Sequence, residues 1–303
     1  MLSDGWNPAA HAEWLSPASP SHEFSYCVGP KPFYAVFMKS FISHVLALFV
    51  LALFSAGGTA LSESRPVAPD RLTILTYNIH RALGNDGKLD VPRIAEVIRK
   101  TGSDIVALQE VDVKTKRSMR MDLAAELGKL LEMKVAFGPA LNLAGGQYGV
   151  AVLTKHELSN PTTHKLPKSK GKEQRVLLET TITVGSRSLR FYCTHFDHTS
   201  ERERLGQVKA IADLTKNLDV PALLAGDLNA GPGSRVLREL EKDWINPGKG
   251  KRLPTFPAQR PGVQIDFILF RDGNGFRPVS NEVIREPVAS DHAPLKTVLD
   301  WPK

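Results

Sequence analysis

The chain has 303 residues, 42% hydrophobic and 23% charged, with a formal net charge of +7. This is ordinary globular composition, the chain shows no internal repeat or low-complexity tract, and two cysteines exclude both a disulfide framework and a thiolate metal site. Residues 1–60 carry only Lys31 and Lys39 against Asp4, Glu13 and Glu23, so 37 basic and 29 acidic residues leave the rest at +8. A basic body suits an anionic partner such as nucleic acid, phospholipid or sugar phosphate, and charge alone serves solubility equally well.

In chain order, Met38-Lys39 leads through Ser40 into an apolar stretch, Phe41 to Phe54, that gives way to Ser55-Ala56-Gly57-Gly58-Thr59-Ala60. A basic start, a short apolar stretch and a small-residue exit are the parts of a secretory signal, here 38–60. The stretch is shorter than the roughly 20 residues of a spanning helix, so cleavage before Leu61 and export to the periplasm or medium are expected. An uncleaved membrane anchor is the competing reading. Residues 1–37 lack periodicity and precede a complete signal; they read as a gene-model extension or a disordered segment. Residues 61–70, with Pro66 and Pro69, form a linker, and one domain occupies 71–303, about 230 residues.

Within that domain Arg71 to Asn78 is an apolar, β-branched run of strand length. Val91-Pro92 opens a helix with Ile94, Val97 and Ile98 at helical spacing. Asp104 to Glu110 is the next strand, ending at its carboxylate, and Leu123 to Leu131 an amphipathic helix. Tyr148 to Thr154, Val176 to Val184 and Leu189 to His195 are further strands, with Cys193 as a small apolar filler in the last. The stretch Lys165 to Arg175, rich in Lys and Gly, reads first as a solvated mobile loop and second as an electrostatic guide for substrate. Glu201 to Leu218 is a helix with Leu205, Val208, Ile211, Ala212 and Leu214 on its apolar side. Val220 to Gly226 is a buried strand. Ser234 caps a short helix, and Ile265 to Phe270 and Leu295 to Leu299 are late strands. Adjacent strand pairs make this a mixed, layered α/β arrangement rather than strict βαβ repetition.

Several apolar runs stop abruptly at polar groups: Asn78, Glu110, His195, Asp227 with Asn229, Asp266 and Asp291-His292. Singly, Asn78 and the Asp227–Asn229 pair read as turn formers, Glu110 as an exposed strand end and His195 as a satisfied core histidine. Jointly, at successive strand ends, they form an oxygen-rich set suited to a hard divalent cation and a phosphate.

The motifs TYNIH, LQEVD, YGVAVL, CTHFDH, GDLNA, QIDFIL and SDHAPL, spread from Leu72 to Leu299, resemble those of the endonuclease/exonuclease/phosphatase superfamily. The resemblance implies a deoxyribonuclease I-like four-layered α/β sandwich with two central mixed β-sheets, in the compact bacterial form without a second domain. It further implies a metal at Glu110, Asn78 and Asp291, with Mg²⁺ favoured and Mn²⁺ a substitute. Asp227 would orient and deprotonate the attacking water, assisted by Asn229, with His292 the alternative proton acceptor. Asp266 would hold His292, and His292 and His195 would contact phosphoryl oxygens. Tyr148 would line the phosphate pocket and Arg175 would reach phosphate, while Arg117, read from its charge alone, is either solvated surface or a guide that binds substrate. One departure is Glu173-Gln174-Arg175, where compact members carry Glu-Pro-Arg. His198 receives no role.

The expected activity is metal-dependent hydrolysis of a phosphodiester, or of a monoester by the same chemistry. The basic loops place a nuclease slightly ahead of a phospholipase C, sphingomyelinase-like or glycosylphosphatidylinositol-lipid hydrolase, since no exposed aromatic hairpin is legible. A non-catalytic phosphate- or lipid-binding domain is the rival of another class, and it would be expected to lack Glu110, Asp227 or His292. A monomer is expected, and no protein partner is implied.

Overall fold

The structure, a computed structural model, describes residues 71–271 and 275–301. The segments expected to be a signal peptide, an upstream extension and a linker lie outside the described residues. Among the described residues, twelve strands form two six-stranded sheets. The first has the order β11 (Arg277–Val283), β12 (Leu295–Asp300), β1 (Arg71–Asn78), β2 (Ile105–Val113), β4 (Gly146–Thr154), β3 (Lys134–Leu143). The second has the order β5 (Glu157–Lys165), β6 (Val176–Val184), β7 (Arg187–His195), β8 (Ala222–Asp227), β10 (Asp266–Arg271), β9 (Trp244–Ile245). Both sheets are mixed: β1 runs parallel to β2 and β7 to β8, while the other neighbours are antiparallel.

Side-chain alternation divides each central strand between two cores. Leu72 and Ile74 of β1 point inward and meet Leu189, Phe191 and Cys193 of β7, Leu223 and Ala225 of β8, and Ile268 of β10 between the sheets. Leu75 and Tyr77 of β1 point outward, under helices α1 (Val91–Thr101) and α2 (Leu123–Leu131). On the far side Tyr192, Leu224 and Leu269 meet Val208 and Ile211 of α3 (Glu201–Thr215) and Val236, Leu237 and Leu240 of α4 (Arg235–Leu240). The result is the expected four-layered sandwich, helices outside and two sheets within. Asp90, Asp122, Ser200 and Ser234 cap the four helices by accepting a backbone N–H.

Differences from the sequence expectations have local causes. Helix α3 stops at Thr215, whose hydroxyl bonds back to the Ile211 carbonyl oxygen at 2.9 Å. Its buried face includes Glu203 and Gln207, and Leu214 is exposed. Two polar anchors fix that rotation: Gln207 accepts the Asp197 N–H at 3.0 Å, and Glu203 accepts the N–H of Ser169 at 2.8 Å. The Ser169 contact also corrects the reading of Lys165–Arg175 as free loop. Leu166 and Arg175 are buried, Lys172 donates to the Thr199 hydroxyl, and Gln174 holds the Leu166 and Arg175 carbonyls.

Gly226, before Asp227, is fixed by packing: a Cβ there would lie 2.0 Å from the carbonyl oxygen of Thr194 on neighbouring β7. We predict that Gly226→Ala costs about 2–3 kcal/mol of stability. This should appear as a lower urea midpoint at unchanged m-value; an unshifted midpoint would show that the strands separate without penalty.

Candidate active site at the shared edge of the sheets

Strand direction brings the polar ends together. Asn78 ends β1, beside the segment leading into antiparallel β12, which carries Ser290, Asp291 and His292. In the second sheet, register places His195 opposite Asp227 and Asp266 opposite Asp227. Glu110 departs from its expected place at a strand end. β2 continues to Val113, and Glu110 sits in a bulge between Leu108 and Val111 with φ 57°. A bulge re-aims one side chain without ending the strand, and here the carboxylate is turned to the cavity mouth.

Asn78 is buried and bridges the sheets: its Nδ2 donates to Glu110 Oε1 and to Asp227 Oδ2, both at 3.2 Å. Its Oδ1 accepts the His80 N–H at 3.1 Å. Asp227 Oδ1 accepts the Asn229 N–H at 2.9 Å, and Asn229 Nδ2 donates to the Phe196 carbonyl at 3.1 Å. Asn229 has φ 46°, a conformation asparagine tolerates better than most residues. His195 Nε2 and His292 Nε2 lie 3.4 and 3.7 Å from Asp227 Oδ2, and His292 Nδ1 bonds Asp266 Oδ2 at 2.9 Å. Asp266 thus fixes the imidazole tautomer as a carboxylate does for a catalytic histidine. Asp291 Oδ1 accepts from Ser290 Oγ, which also donates to the Asn78 carbonyl at 2.7 Å.

Burial decides the protonation states. It raises the Asp227 carboxyl above the usual range, reinforced by the Asp266 charge and opposed by His292. It pulls His195 well below an ordinary imidazole, with the Arg175 charge adding to the effect, so that ring is neutral. Burial opposes charge on His292 too, but Asp266 by charge and hydrogen bond, then Asp227 and Asp291, outweigh it and lift His292 to about 10.

A cavity of about 440 Å³ opens over this network, lined by Glu110, Asp227, Asn229, Asp291, His195 and His292 and by Arg117, Tyr148, Arg175, Leu143 and Phe256. Every residue expected at the site therefore lines this space or, as with Asn78 and Asp266, bonds directly to a residue that does. Arg117 is held by a two-point ion pair with buried Asp112 at 2.8 Å and stands over the Tyr148 ring, 5.5 Å from its centroid. Buried Arg175 reaches Glu173 at 3.3 Å and His198 Nδ1 at 3.1 Å, and its Nε and Nη1 have no hydrogen-bond partner among the described residues.

Two donor groupings can take a cation. Glu110 and Asp291 supply carboxylate oxygens and Asn78 adds its Oδ1, which here accepts the His80 N–H, and the Asp291 side chain is 35% exposed, which leaves room for water in the shell of a hard ion. Asp227, Asp266 and His292 place ligand atoms within 4.8 Å of one another, but all three are buried and two are already bonded together. Chemically, the first set fits a divalent cation and the second fits proton handling.

Sequence reasoning missed Asp112, whose carboxylate also accepts from Thr115 and Ser118, and missed Asn85. The Asn85 Nδ2 donates to the Pro287 and Ser290 carbonyls, both at 2.9 Å, and its N–H to Val288 O at 2.8 Å. These bonds staple the segment bearing Asp291 and His292 to the loop after β1. Neighbouring Gly84 packs so closely that a Cβ would meet Val288 O at 2.7 Å. The loop reaches this position through His80, Arg81 and Ala82, three successive residues with positive φ, each costing roughly 1–2 kcal/mol. Asn85 lies in a Gly-Asn-Asp-Gly stretch that reads as a turn; only the distant carbonyls reveal its task.

The fold and this edge are of the deoxyribonuclease I-like type, whose family members are hydrolases acting on phosphate esters. A model of the endonuclease/exonuclease/phosphatase family matches residues 75–292, and the chain belongs to that family. It is 24% identical over 239 residues to the uncharacterized protein YbhP of Escherichia coli K12, covering 73% of this chain and 93% of that protein. It is similar to the endonuclease/exonuclease/phosphatase structure from Beutenbergia cavernae (TM-score 0.62, 24% identity, 77% of this chain and 72% of that one). It also resembles the mannosyl-6-phosphatase Bt3783 of Bacteroides thetaiotaomicron (TM-score 0.63, 16% identity, 75% of this chain and 99% of that one).

The raised His292 makes stability depend on pH. Relative to an unfolded value near 6.5, the folded protein binds an extra proton, so this contribution is complete below about pH 6.5 and lost as pH rises through about 10. We predict that urea midpoints of the metal-free protein fall across that window and that Asp266→Asn flattens the fall. A slope unchanged by Asp266→Asn would dissociate His292 from Asp266.

Proposed function

We propose that the protein is an exported, magnesium-dependent phosphoesterase that hydrolyses phosphodiester bonds, and monoesters by the same chemistry, through in-line attack of water. The observation that carries this reading is the Asn78 bridge, which gathers the Glu110 side of one sheet and the Asp227–His292–Asp266 side of the other into one cavity. In it, Glu110, Asn78 and Asp291 hold Mg²⁺, with Mn²⁺ as a substitute. The cation, when bound, neutralises phosphoryl charge that would otherwise repel a nucleophile.

This chain's own groups do the rest. Asp227, its basicity raised by burial, accepts a hydrogen bond from the attacking water and takes its proton. The Asn229 N–H fixes the other oxygen of that carboxylate, so the accepting atom points one way. His292, kept protonated by Asp266, donates from Nε2 to a phosphoryl oxygen, and neutral His195 donates from Nε2 beside it. Arg117, Tyr148 and Arg175 bind the remainder of the phosphate and its substituents from the cavity wall. Retention of Glu110, Asp227 and His292 together supports catalysis over passive phosphate binding. The likeness to Bt3783, a phosphatase by name, supports including monoesters among the substrates tested.

Asp227→Ala is expected to lower turnover of bis-p-nitrophenyl phosphate by at least about 10³-fold while the protein still melts cooperatively. EDTA should abolish the wild-type reaction and Mg²⁺ restore it. Turnover that survives either treatment would refute the reading. For export, N-terminal sequencing of secreted material should begin at Leu61, and an intact Met1 would defeat that part.

A further inference from the structure

Among the described residues, non-glycine residues with positive φ include Glu110 and Asn229 at the site, His80 to Ala82 in the loop after β1, and Glu132 and Asn160 elsewhere. Four more, Lys114, Met119, Arg120 and Ala144, lie outside the catalytic network and belong to one small knob. The knob joins the turn after β2 to the tip of the β3–β4 hairpin. Lys116 N donates to Ala144 O and Arg120 Nη1 to Gly145 O, both at 3.0 Å. At Gly146 a Cβ would meet the Val113 carbonyl oxygen at 2.3 Å, so the two chains touch along their backbones. Inside, Thr115 and Ser118 donate to the Asp112 carboxylate that also holds Arg117. Strain of this kind persists only where the surroundings enforce it, and it gathers at working surfaces.

The knob presents an unusual surface. Met119 is 67% exposed, more than any other large hydrophobic side chain described, and Lys114, Lys116 and Arg120 around it are also exposed. No acid occurs between Lys114 and Met121 or between Ala140 and Gln147. Exposed Ala144 and half-buried Leu143 and Leu141 continue the apolar surface from the hairpin tip to the cavity, whose wall the two leucines form. The cations alone would serve the phosphate backbone of a nucleic acid, and residues 114–121 and 141–146 contain no aromatic side chain on which its bases could stack. Cations around an apolar tip, with an apolar path into a phosphate-binding cavity, match an interface with a charged outer layer and a hydrocarbon interior.

We propose that the knob formed by residues 114–121 and the 141–146 hairpin tip docks on a bilayer carrying anionic lipid, seating Met119 at the interface so that a lipid phosphodiester reaches the cavity. This rests on the phosphoesterase reading and names its substrate class. The hairpin escaped the sequence reading because β3 carries Gly138 and Pro139 and its tip is aliphatic rather than aromatic.

The test uses the full chain with Cys27→Ser, in which buried Cys193 resists labelling, and an environment-sensitive fluorophore on Met119→Cys. The label reports its own depth, whatever other part of the chain reaches the vesicle. Its emission should shift to the blue with phosphatidylglycerol-containing vesicles and not with pure phosphatidylcholine; a label on Leu214→Cys of α3 should not respond. Lys116→Gln should weaken the response about 5-fold, the worth of one cation near an anionic surface, with turnover of soluble bis-p-nitrophenyl phosphate unchanged. A silent label at 119 overturns the proposal, and an equal or stronger response to single-stranded DNA overturns it in favour of nucleic acid. If the soluble ester is not hydrolysed at all, the phosphoesterase reading fails instead, and the label still reports on docking.

Discussion

One carboxamide holds the centre of this molecule. Asn78 donates one nitrogen to a carboxylate of each sheet, so the separation of the layers and the geometry of the site are fixed by the same atoms. This shared donor links the sheets beside two further polar contacts, the His292–Asp266 bond and the bonds of Cys193 with Gln109 and the Leu108 carbonyl. The segment bearing Asp291 and His292 is then anchored twice, by Ser290 on the Asn78 carbonyl and by Asn85 on three backbone oxygens. Shifting either anchor would move ligands and proton carriers together.

Burial then sets the chemistry. The same exclusion of water that raises Asp227 and neutralises His195 would neutralise His292, were Asp266 not bonded to it. Three groups in one space therefore take three protonation characters, the usual means by which acid and base roles coexist at neutral pH. The left-handed residues around them carry a cost of the order of 1–2 kcal/mol each, offset by the three cores of the sandwich. That cost falls where function is placed, not where the fold would be easiest to build.

The central strands were legible from sequence because β1, β2, β4, β7, β8 and β10 carry apolar runs buried on both faces, while β6 and β12 alternate apolar and half-buried polar residues. The strands that escaped, β3, β5, β9 and β11, are the four edges of the two sheets. Pro139, Pro161 and Pro278 interrupt three of them and β9 has two residues, as edges that must not recruit a neighbouring chain require. The site was legible for a related reason: a polar residue that ends an apolar run has few structural uses. Residues acting through backbone carbonyls, such as Asn85, or from mid-strand on a neighbouring turn, such as Asp112, leave no such mark. Arg117 was anticipated as a substrate ligand, but its pairing with Asp112 depends on a turn whose shape only coordinates reveal.

Cys193 fills the space between the sheets directly behind the candidate site, accepting from Gln109 and donating to the Leu108 carbonyl, each at 3.6 Å. Burial pushes its thiol up to about 12, so the sulfur is neither ionised nor reachable at any physiological pH. Oxidants and alkylating agents consequently find no foothold beneath that edge of the sheets. The described domain should behave alike in reducing and oxidising surroundings, its chemistry indifferent to the thiol balance of the compartment that holds it.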